Sequence, residues 1–505
     1  MESFWESICL LADPSTVFVI GLSSLYGLFV GSIPGLTATM AVALWVPIAF
    51  WLDPIPALAA IVALQAMAIF AGDIPAALVR IPGTPATAAY TDDSYALARQ
   101  GQARLVLGVD VLASALGGIM GAIVLIVGAR ALVELAIKFS SFEYFWLAML
   151  GLSTAAFIAS GSPLKGLVSV LLGLFLSTIG IDITLGFPRF TFGNENLLGG
   201  ISFIPAMIGL FGMAEVLRNV LGGRLSTSLG VAERGAMFKP ALEVLWRYRV
   251  NTVRGGIIGI LVGALPGAGA DIAAWLAYGA AKRFSKEPEK FGKGSIEAIV
   301  DAGVANNSAL GAAWIPALVF GIPGDSVTAI AIGVLMLKGL RPGPAIFKDY
   351  TDVLFAIYAV FILANLLMIP FGWLAIRAGS KIMRMPRNVL MPIILLMCIV
   401  GSYAINNNPF DVGLMLVMGV VGFLLERHGF PVAPMVLGLV LGPMVESNFM
   451  TSMIISQWHL SAFFARPISA FLGVLTIGVW LLPLLRFIKE KVCFMEASSK
   501  NIGSK

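Results

Sequence analysis

GSIPGLTAT, residues 31–39, interrupts the first apolar run of the chain, and GALPGAGAD, residues 263–271, interrupts a run in the second half. A related pair follows farther along each half: IPAALVRIPGT, residues 74–84, and IPALVFGIPGD, residues 315–325. The second pair matches at a constant offset, and the match extends through Thr87-Ala88 and Thr328-Ala329. Because both pairs occur in the same order and at similar spacing, the sequence predicts a duplicated unit.

The composition places this unit in a lipid bilayer. Of 505 residues, 58% are hydrophobic and 12% are charged, whereas soluble chains carry about 25% charged residues. The shortage of charge excludes a string of soluble domains, and the hydrophobicity excludes disorder. Apolar segments approach the roughly 20 residues that cross the hydrocarbon. We predict an all-α polytopic integral membrane protein with about 10–12 membrane segments, including broken or re-entrant helices.

The basic residues predict how the two copies insert. No Lys or Arg precedes Arg80. The motif at 263–271 has basic residues on both sides: Arg218, Arg224, Arg234, Lys239, Arg247, Arg249 and Arg254 before it, and Lys282, Arg283, Lys286, Lys290 and Lys293 after it. Since basic flanks stay in the cytoplasm, we predict inverted-topology repeats, as in many secondary transporters. Residues 255–281 are expected to enter and return at Pro266-Gly267; a Pro-kinked spanning helix is the alternative.

These features divide the chain into five parts. Residues 1–217 are the first inverted membrane repeat, and residues 218–254 are a basic cytoplasmic connection. Residues 255–430 form the second inverted repeat. Residues 431–488 add C-terminal membrane segments, and residues 489–505 are a polar tail.

The Pro-Gly breaks are the candidate substrate site. Proline removes a backbone donor and glycine permits unusual conformations, so each break exposes backbone N–H groups that attract a carboxylate. Such breaks persist in a bilayer only where protein or a wet cavity surrounds them. Kinks and packing glycines are the alternative explanation. The predicted substrate-binding residues are Gly31, Pro34, Gly35, Thr37, Thr39, Pro82, Gly83, Thr84, Pro266, Gly267, Gly269, Asn306, Asn307, Pro323, Gly324, Ser326 and Thr328.

Carboxylates and amides inside apolar segments are the candidate cation ligands. Asp271 and Asp325 each closely follow a Pro-Gly motif, and intramembrane carboxylates are functional candidates by default. Asn306 and Asn307 either join helices or coordinate a ligand. We predict that Asp271, Asp325 and Asn306 hold the coupling ion, Na⁺ or H⁺.

Other acidic residues are weaker candidates. Asp73 and Asp301 are expected near an interface, and Asp92-Asp93 in a solvated loop.

Other functions lack sequence support. A G-x-x-x-x-G-K-[ST] phosphate loop is absent, so we expect no use of ATP. The three cysteines lie far apart, and two histidines are too few for a usual metal site. The net charge of +5 is not concentrated on a soluble domain, which argues against nucleic acid. We expect no cofactor, and an intramembrane enzyme is the least favoured class because H-E-x-x-H is missing.

The motifs together resemble the large membrane subunit of the tripartite tricarboxylate transporters, the TctA family, over residues 21–472. The resemblance is carried by GSIPGLTAT (31–39), IPGTP (81–85), RQGQA (99–103), LPGAG (265–269), ANN (305–307), GIPG (321–324), PGP (342–344) and PMVLGLVLGP (434–443). Asp271 and Asp325 depart from the family pattern, which frequently has Thr and Ser there. The resemblance therefore implies an organic anion without implying citrate.

The resemblance implies a multi-pass permease of the bacterial inner membrane. It would work with a small membrane subunit and a periplasmic substrate-binding protein, and an ion gradient would drive uptake of a di- or tricarboxylate by alternating access. A stand-alone carboxylate symporter and an ion channel are the alternatives.

Overall fold

The computed structural model describes residues 11–33, 36–158, 162–182, 186–221, 237–382 and 387–481, so Pro34 and Gly35 lie outside the described residues. The helices before the basic connection are α1 (Pro14–Gly31), α2 (Ala38–Trp51), α3 (Pro54–Ala71), α4 (Asp73–Val79), α5 (Thr91–Leu97), α6 (Ala103–Ala136), α7 (Ser141–Ile158), α8 (Pro163–Ser177), α9 (Phe203–Met207) and α10 (Ala214–Leu221). Short π-helical segments, Ala98–Gln102 and Ile208–Met213, precede α6 and α10.

The helices after α10 continue the same all-helical plan. They are α11 (Phe238–Arg247), α12 (Arg249–Gly263), α13 (Gly269–Phe284), α14 (Ile296–Phe320), α15 (Ser326–Leu337), α16 (Ile346–Asp349), α17 (Thr351–Ile382), α18 (Arg387–Asn406), α19 (Pro409–Arg427), α20 (Val432–Ile455) and α21 (Pro467–Leu481). Within the described residues, the only strands are β1 (Gly180–Ile181) and β2 (Pro188–Arg189), which pair antiparallel.

The helices are suited to a bilayer. In the part of the chain that the structure describes, eight are long and apolar enough to span it: Pro14–Gly31, Pro54–Val79, Thr91–Ala136, Phe203–Leu221, Thr351–Ala378, Val389–Asn406, Pro409–Arg427 and Val432–Ile455. Four shorter apolar helices are Ala38–Trp51, Pro163–Ser177, Ser326–Leu337 and Pro467–Leu481. The predicted all-α polytopic membrane protein is confirmed.

Two long buried stretches form the centre of the bundle. Residues 57–77, along α3 and α4, and residues 298–320 of α14 are buried without interruption. Both stretches are rich in alanine, and small side chains let helix backbones approach closely in a membrane. Each half packs a long helix against the buried central helix of the other half: α6 lies along α14, and α17 lies along α3.

Equivalent glycines make equivalent contacts in the two halves. Glycines of the first helix of each half touch backbone carbonyls of its buried central helix: Gly27 at Leu64, Gly31 at Ala68, Gly259 at Ala305 and Gly263 at Ala309. These pairs are related by the same offsets as the Pro-Gly motifs. In each half, the contacts advance in the same direction along both helices, so α1 is parallel to α3 and α12 is parallel to α14.

The second break of each half also begins in the same way. Arg80 ends α4 in the left-handed conformation, with a φ of 60°, and Gly321 ends α14 there with a φ of 68°. The next amide, Ile81 or Ile322, donates to the carbonyl of Pro75 or Pro316, respectively. The chain therefore turns sharply before the second Pro-Gly pair of each half.

Residues 249–284 fold back on themselves. Helices α12 and α13 pack together, and the Arg254 guanidinium near the start of α12 lies 5.7 Å from the ring centroid of Phe284, at the end of α13. The segment therefore enters and returns around Pro266-Gly267, as the sequence predicts, and it is not a kinked spanning helix.

Two predicted boundaries fall inside helices. The boundary at 217/218 lies within α10, and the one at 254/255 lies within α12. Arg249 and Arg254 belong to α12, where the Arg254 guanidinium pairs with the buried Asp301 carboxylate, to which Asn251 also donates. Asp301 thus joins α12 to α14.

We predict that Gly259→Ala lowers the free energy of unfolding by about 1–3 kcal/mol, because the added methyl overlaps the Ala305 carbonyl and the Ser308 hydroxyl. Gly279→Ala on α13 is the matched control, since a Cβ there meets nothing within 4 Å. Thermal unfolding of the purified chains, followed by tryptophan fluorescence, measures both. Equal stability of the two variants would contradict the glycine contacts.

Candidate functional site

The break segments of both halves meet at one small cavity. It has a volume of about 60 Å³ and is lined by Thr37, Ala38, Thr39, Ile69, Thr84, Pro85, Ala270, Asp271, Asn306, Asp325, Ser326 and Val327. These residues come from the starts of α2, α13 and α15, from the segment after Pro82-Gly83, and from the buried helices α3 and α14. We call this space the central cavity.

Hydroxyl groups connect the halves across the central cavity. Thr39 Oγ1 lies 2.8 Å from Ser326 Oγ, which joins α2 to α15. Thr37 caps α2, because its Oγ1 accepts the N–H of Met40 at 3.2 Å. These side chains follow the first break in one half and the second break in the other, so the two motif types share a single wall.

Asp325 occupies the N-terminus of α15. Its carboxylate accepts the Thr328 N–H at 2.7 Å, and the Thr328 hydroxyl lies 2.8 Å from the Asp325 amide in a reciprocal capping box. A helix N-terminus attracts an anion through its free N–H groups and its dipole. Here the protein's own carboxylate partly fills the place that the sequence predicts for a substrate carboxylate.

Asp271 fills the corresponding place at another break. It stands in the first turn of α13, and its Oδ1 accepts the Ala86 N–H, in the segment after Pro82-Gly83, at 3.1 Å. The side chain is exposed, unlike the buried Asn306 of the same cavity. Asp271 and Asp325 thus bring two carboxyl groups to the wall of the same cavity.

The paired asparagines point to different neighbours. Asn306 lines the central cavity and is fully buried, and neither its amide oxygen nor its nitrogen has a partner among the described residues. Asn307 donates instead to Ser114 on α6, at 2.8 Å, and to the Gly303 carbonyl. One asparagine therefore offers hydrogen bonds to a ligand, and the other joins helices.

Proline and glycine of the breaks shape the cavity without lining it. Gly83 packs on Gly72, and Gly324 packs on Ala313, where a Cβ would overlap the backbone. Gly267, at a φ of 76°, donates its N–H to the Pro323 carbonyl at 3.3 Å. Tight backbone contact is the reason for glycine at these positions.

The predicted site residues therefore divide into two groups. Those that line the cavity are Thr37, Thr39, Thr84, Asn306, Ser326, Asp271 and Asp325. Those placed outside its lining are Gly31, Pro82, Gly83, Pro266, Gly267, Gly269, Asn307, Pro323, Gly324 and Thr328. Pro34 and Gly35 lie outside the described residues. Sequence reasoning missed the apolar lining, Ala38, Ile69, Pro85, Ala270 and Val327, because nothing distinguishes these residues from other core positions.

The expectation of a solvated loop is wrong for Asp93. This carboxylate is fully buried and accepts the N–H groups of Gly292, Gly294 and Ser295 at 2.7 to 3.0 Å, and the Tyr278 hydroxyl at 3.1 Å. The backbone turn before α14 forms an anion-binding nest around it. Asp92 is exposed, as expected, and pairs with Arg80, but it lies in the first turn of α5 and not in a loop.

A larger cavity lies at the far end of α15. It measures about 580 Å³, and its wall includes Ile332, Met336, Arg189 and Glu446. Arg189 binds Glu446 through two hydrogen bonds, of 2.6 and 3.0 Å. The sequence carried one signal for this site, since Arg189 is the single basic residue between Lys165 and Arg218. We call this cavity the vestibule.

Comparison with known proteins gives one family and two relatives. Residues 17–437 match the family described as the tripartite tricarboxylate transporter TctA family. An uncharacterized 52.8 kDa protein in the TAR-I ttuC′ 3′ region of Agrobacterium vitis is 36% identical over 471 residues, 93% of each chain. An uncharacterized protein in the TAR-II ttuC′ 3′ region of the same organism is 37% identical over 237 residues, 46% of this chain and 98% of its own length. No solved structure matches significantly.

Asp93→Asn is expected to lower the free energy of unfolding by about 1.5–3 kcal/mol, since an amide NH₂ would face backbone N–H donors in place of a carboxylate oxygen. Asp92→Asn is the matched neighbour, and we expect little change because its pair with Arg80 is exposed. Thermal unfolding of both variants in detergent measures the difference. If Asp92→Asn were as destabilising as Asp93→Asn, the hydrogen bonds of the nest to Asp93 would not be what stabilises the fold here.

Proposed function

The chain belongs to the TctA family of tripartite tricarboxylate transporters, and we propose that it is the permease subunit of a cation-coupled importer of organic anions, di- or tricarboxylates, in the bacterial inner membrane. Membership implies the large subunit of a tripartite tricarboxylate transporter. The family normally works with a small membrane subunit and a periplasmic binding protein, and we propose both as partners.

The central cavity carries this proposal. Carboxylates are bound by convergent hydrogen-bond donors, and the cavity offers the hydroxyls of Thr37, Thr39 and Ser326 and the unpartnered amide of Asn306. A buried amide without a partner costs about 1–3 kcal/mol, which a bound ligand would recover. Polar groups that converge in a mostly apolar cleft are typical of a binding site.

A coupling cation would balance the negative charge of this site. A substrate carboxylate entering beside Asp271 and Asp325 would be repelled unless a positive charge accompanied it. We propose that Asp271, Asp325 and Asn306 bind the coupling cation, so that anion and cation enter together. One charge moving through 100 mV contributes about 2.3 kcal/mol, enough for considerable accumulation.

The size of the central cavity requires movement. Its volume of about 60 Å³ is well below the roughly 300–1,000 Å³ of small-molecule binding pockets, so a di- or tricarboxylate needs a wider site. We propose that the halves are inverted copies that open the cavity alternately to each side. Support comes from the antiparallel course of α3 and α14, since the Trp314 indole donates to Gln65 at 3.1 Å while Ile69 and Asn306 both reach the cavity.

The vestibule is the proposed entrance. We propose that the turn before α14 faces the cytoplasm, because its flanks are basic. Helix α15 leads from the central cavity toward the opposite side, where Met336 lines the vestibule. The periplasmic binding protein would therefore deliver its ligand at this mouth.

Uptake of radiolabelled di- and tricarboxylates into proteoliposomes tests the function. We expect accumulation when the chain, the small membrane subunit and the binding protein are combined with an inward cation gradient. Accumulation by the chain alone would indicate a stand-alone symporter, and a large conductance without saturable uptake would indicate a channel; either result contradicts the proposal.

Thr39→Val should reduce uptake about ten- to 100-fold, because it removes one hydrogen bond to a charged ligand, of about 1.5–3 kcal/mol, at constant shape. Thr252→Val on α12 is the matched control, since that hydroxyl bonds only to the Tyr248 carbonyl of its own helix. Initial uptake rates, normalised to protein in the membrane, give the comparison. Equal rates for the two variants would remove Thr39 from the site.

Asp325→Asn separates the charge of this residue from its structural role. Asparagine caps helices about as well as aspartate, so α15 is expected to remain intact. We expect uptake of the variant to show an altered dependence on external Na⁺ or pH. A variant with the ion dependence of the natural chain would show that Asp325 takes no part in coupling.

A further inference from the structure

Two buried carboxylates lie behind the second break of the first half, outside the central cavity. Asp110 on α6 is fully buried, and Asp73 at the start of α4 is 1% exposed. In the part of the chain that the structure describes, neither oxygen of Asp110 has a hydrogen-bond partner, and Asp73 Oδ2 has none. Three carboxylate oxygens are therefore buried without a donor.

The two carboxylates form a pair. Asp73 lies on α4 and Asp110 lies on α6, and these two helices pack against each other. Asp73 Oδ1 accepts the Tyr90 hydroxyl at 2.7 Å and the Thr87 hydroxyl at 2.9 Å. Both donors thus converge on a single oxygen, which leaves Asp73 Oδ2 and the two Asp110 oxygens unsatisfied.

No positive charge balances the pair among the described residues. Of the charged groups on the elements packed around it, Asp92 pairs with Arg80, Asp93 with the 292–295 turn and Asp301 with Arg254, while Arg377 lies over the Trp373 ring. Lys239 on α11, which packs on α6, is exposed, and Arg104 and Arg130 lie more than a helical turn from Asp110 along α6. An unpaired buried anion costs several kcal/mol, and two adjacent anions cost more. A proton or a cation bound at the pair would remove this cost.

A chain of hydroxyls connects this pair to the central cavity. Thr84 lines the cavity, and its Oγ1 lies 2.8 Å from the Thr87 Oγ1. The Thr87 hydroxyl then reaches Asp73 Oδ1 at 2.9 Å. Each link has hydrogen-bond length, so a proton can pass along the chain without an open channel.

We propose that Asp73 and Asp110 share a bound proton and exchange it with the central cavity through the hydroxyls of Thr84 and Thr87. A proton arriving at Thr84 Oγ releases the hydroxyl proton of Thr84 to Thr87, and Thr87 releases its own to Asp73. Rotation of the two hydroxyls restores the starting state, so one proton enters and one carboxylate becomes a carboxylic acid. The pair is thus a second cation site, separate from Asp271 and Asp325.

The available ligands favour a proton over a metal cation. A proton shared between Asp73 Oδ2 and an Asp110 oxygen supplies the missing donor with one atom, as in carboxylate pairs that share a proton. Hard metal cations such as Ca²⁺ gather about 6–8 oxygen ligands, whereas the pair has three unsatisfied oxygens. That the pair holds a proton does not depend on the proposed function; its use in driving uptake does.

Infrared spectroscopy of the purified full-length chain in lipid nanodiscs tests the bound proton. We expect the C=O stretch of a protonated carboxylic acid at neutral pH, shifted in D₂O, present in the natural chain and in Asp92→Asn, and lost in Asp110→Asn and in Asp73→Asn. Persistence of the band in both pair variants would overturn the proposal. So would a band that appears in the natural chain only when Na⁺ is removed, since Na⁺ would then be the occupant.

Thr87→Val tests the hydroxyl chain while keeping both carboxylates. We expect the carboxylic acid band to remain and its exchange in D₂O to slow at least tenfold; an unchanged exchange rate would show that protons reach the pair by another path. Because this measurement needs no transport, it remains interpretable if Asp110→Asn or Asp73→Asn fails to fold.

Uptake measurements test the use of the proton. With the binding protein and the small subunit present, Asp110→Asn is expected to lose accumulation driven by a pH gradient and to retain exchange of labelled for unlabelled substrate across the membrane. Equal pH-driven accumulation in the variant and the natural chain would refute a coupling role. Absence of any uptake by the natural chain would refute the proposed function and leave the infrared result standing.

Discussion

Backbone groups freed by a helix break must find partners inside the bilayer, and the rest of the molecule depends on how this is achieved. The Gly267 N–H at one break donates to the Pro323 carbonyl at another, and the Thr154 hydroxyl donates to the Pro266 carbonyl. The Ala86 N–H in the first half is bound by Asp271 in the second. Breaks are thus satisfied largely by one another, which draws them to the common cavity and fixes the halves together.

This solution places negative charge at the centre. Asp325 caps α15 and Asp271 binds the Ala86 amide, so backbone donors that would otherwise attract an anion already hold one. A substrate carboxylate must therefore displace these side chains or arrive with a cation that neutralises them. The family resemblance indicates Thr and Ser at these positions in many members, where the same donors would be free. Charge at two positions is consequently the feature most suited to alter substrate choice and coupling within an otherwise shared framework.

The sequence was sufficient for the features that depend on local chemistry. Pro-Gly pairs predicted the breaks, basic flanks predicted that residues 255–281 return, and the hydroxyls beside the breaks are found in the cavity wall. The sequence did not predict contacts between segments that are far apart along the chain. Adjacent residues on a helix point about 100° apart, so only the packing of α6 shows that Asn307 joins helices while Asn306 faces the cavity. The burial of Asp93 could not be predicted because its nest lies far along the chain. The importance of Asp110 could not be predicted because α6 comes beside Asp73 only in the folded protein.

Two groups of hydrogen bonds, which we call ties, lie at opposite ends of the bundle and affect how the closed central cavity could open. At one end the Lys338 ammonium donates to the carbonyls of Phe50 and Leu52, joining the ends of α2 and α15. At the other, Asp93 holds the turn before α14. Each tie joins a segment of the first half to a segment of the second half, and α3 and α14 run between them in opposite directions. Separation of the halves at one end would stretch only the tie at that end, because the central contacts between Thr39 and Ser326 can act as the pivot. Both ties are hydrogen bonds to charged groups, of about 1.5–3 kcal/mol for each bond, so the proposed opening at one end would require a ligand that binds the open state more tightly than the closed state.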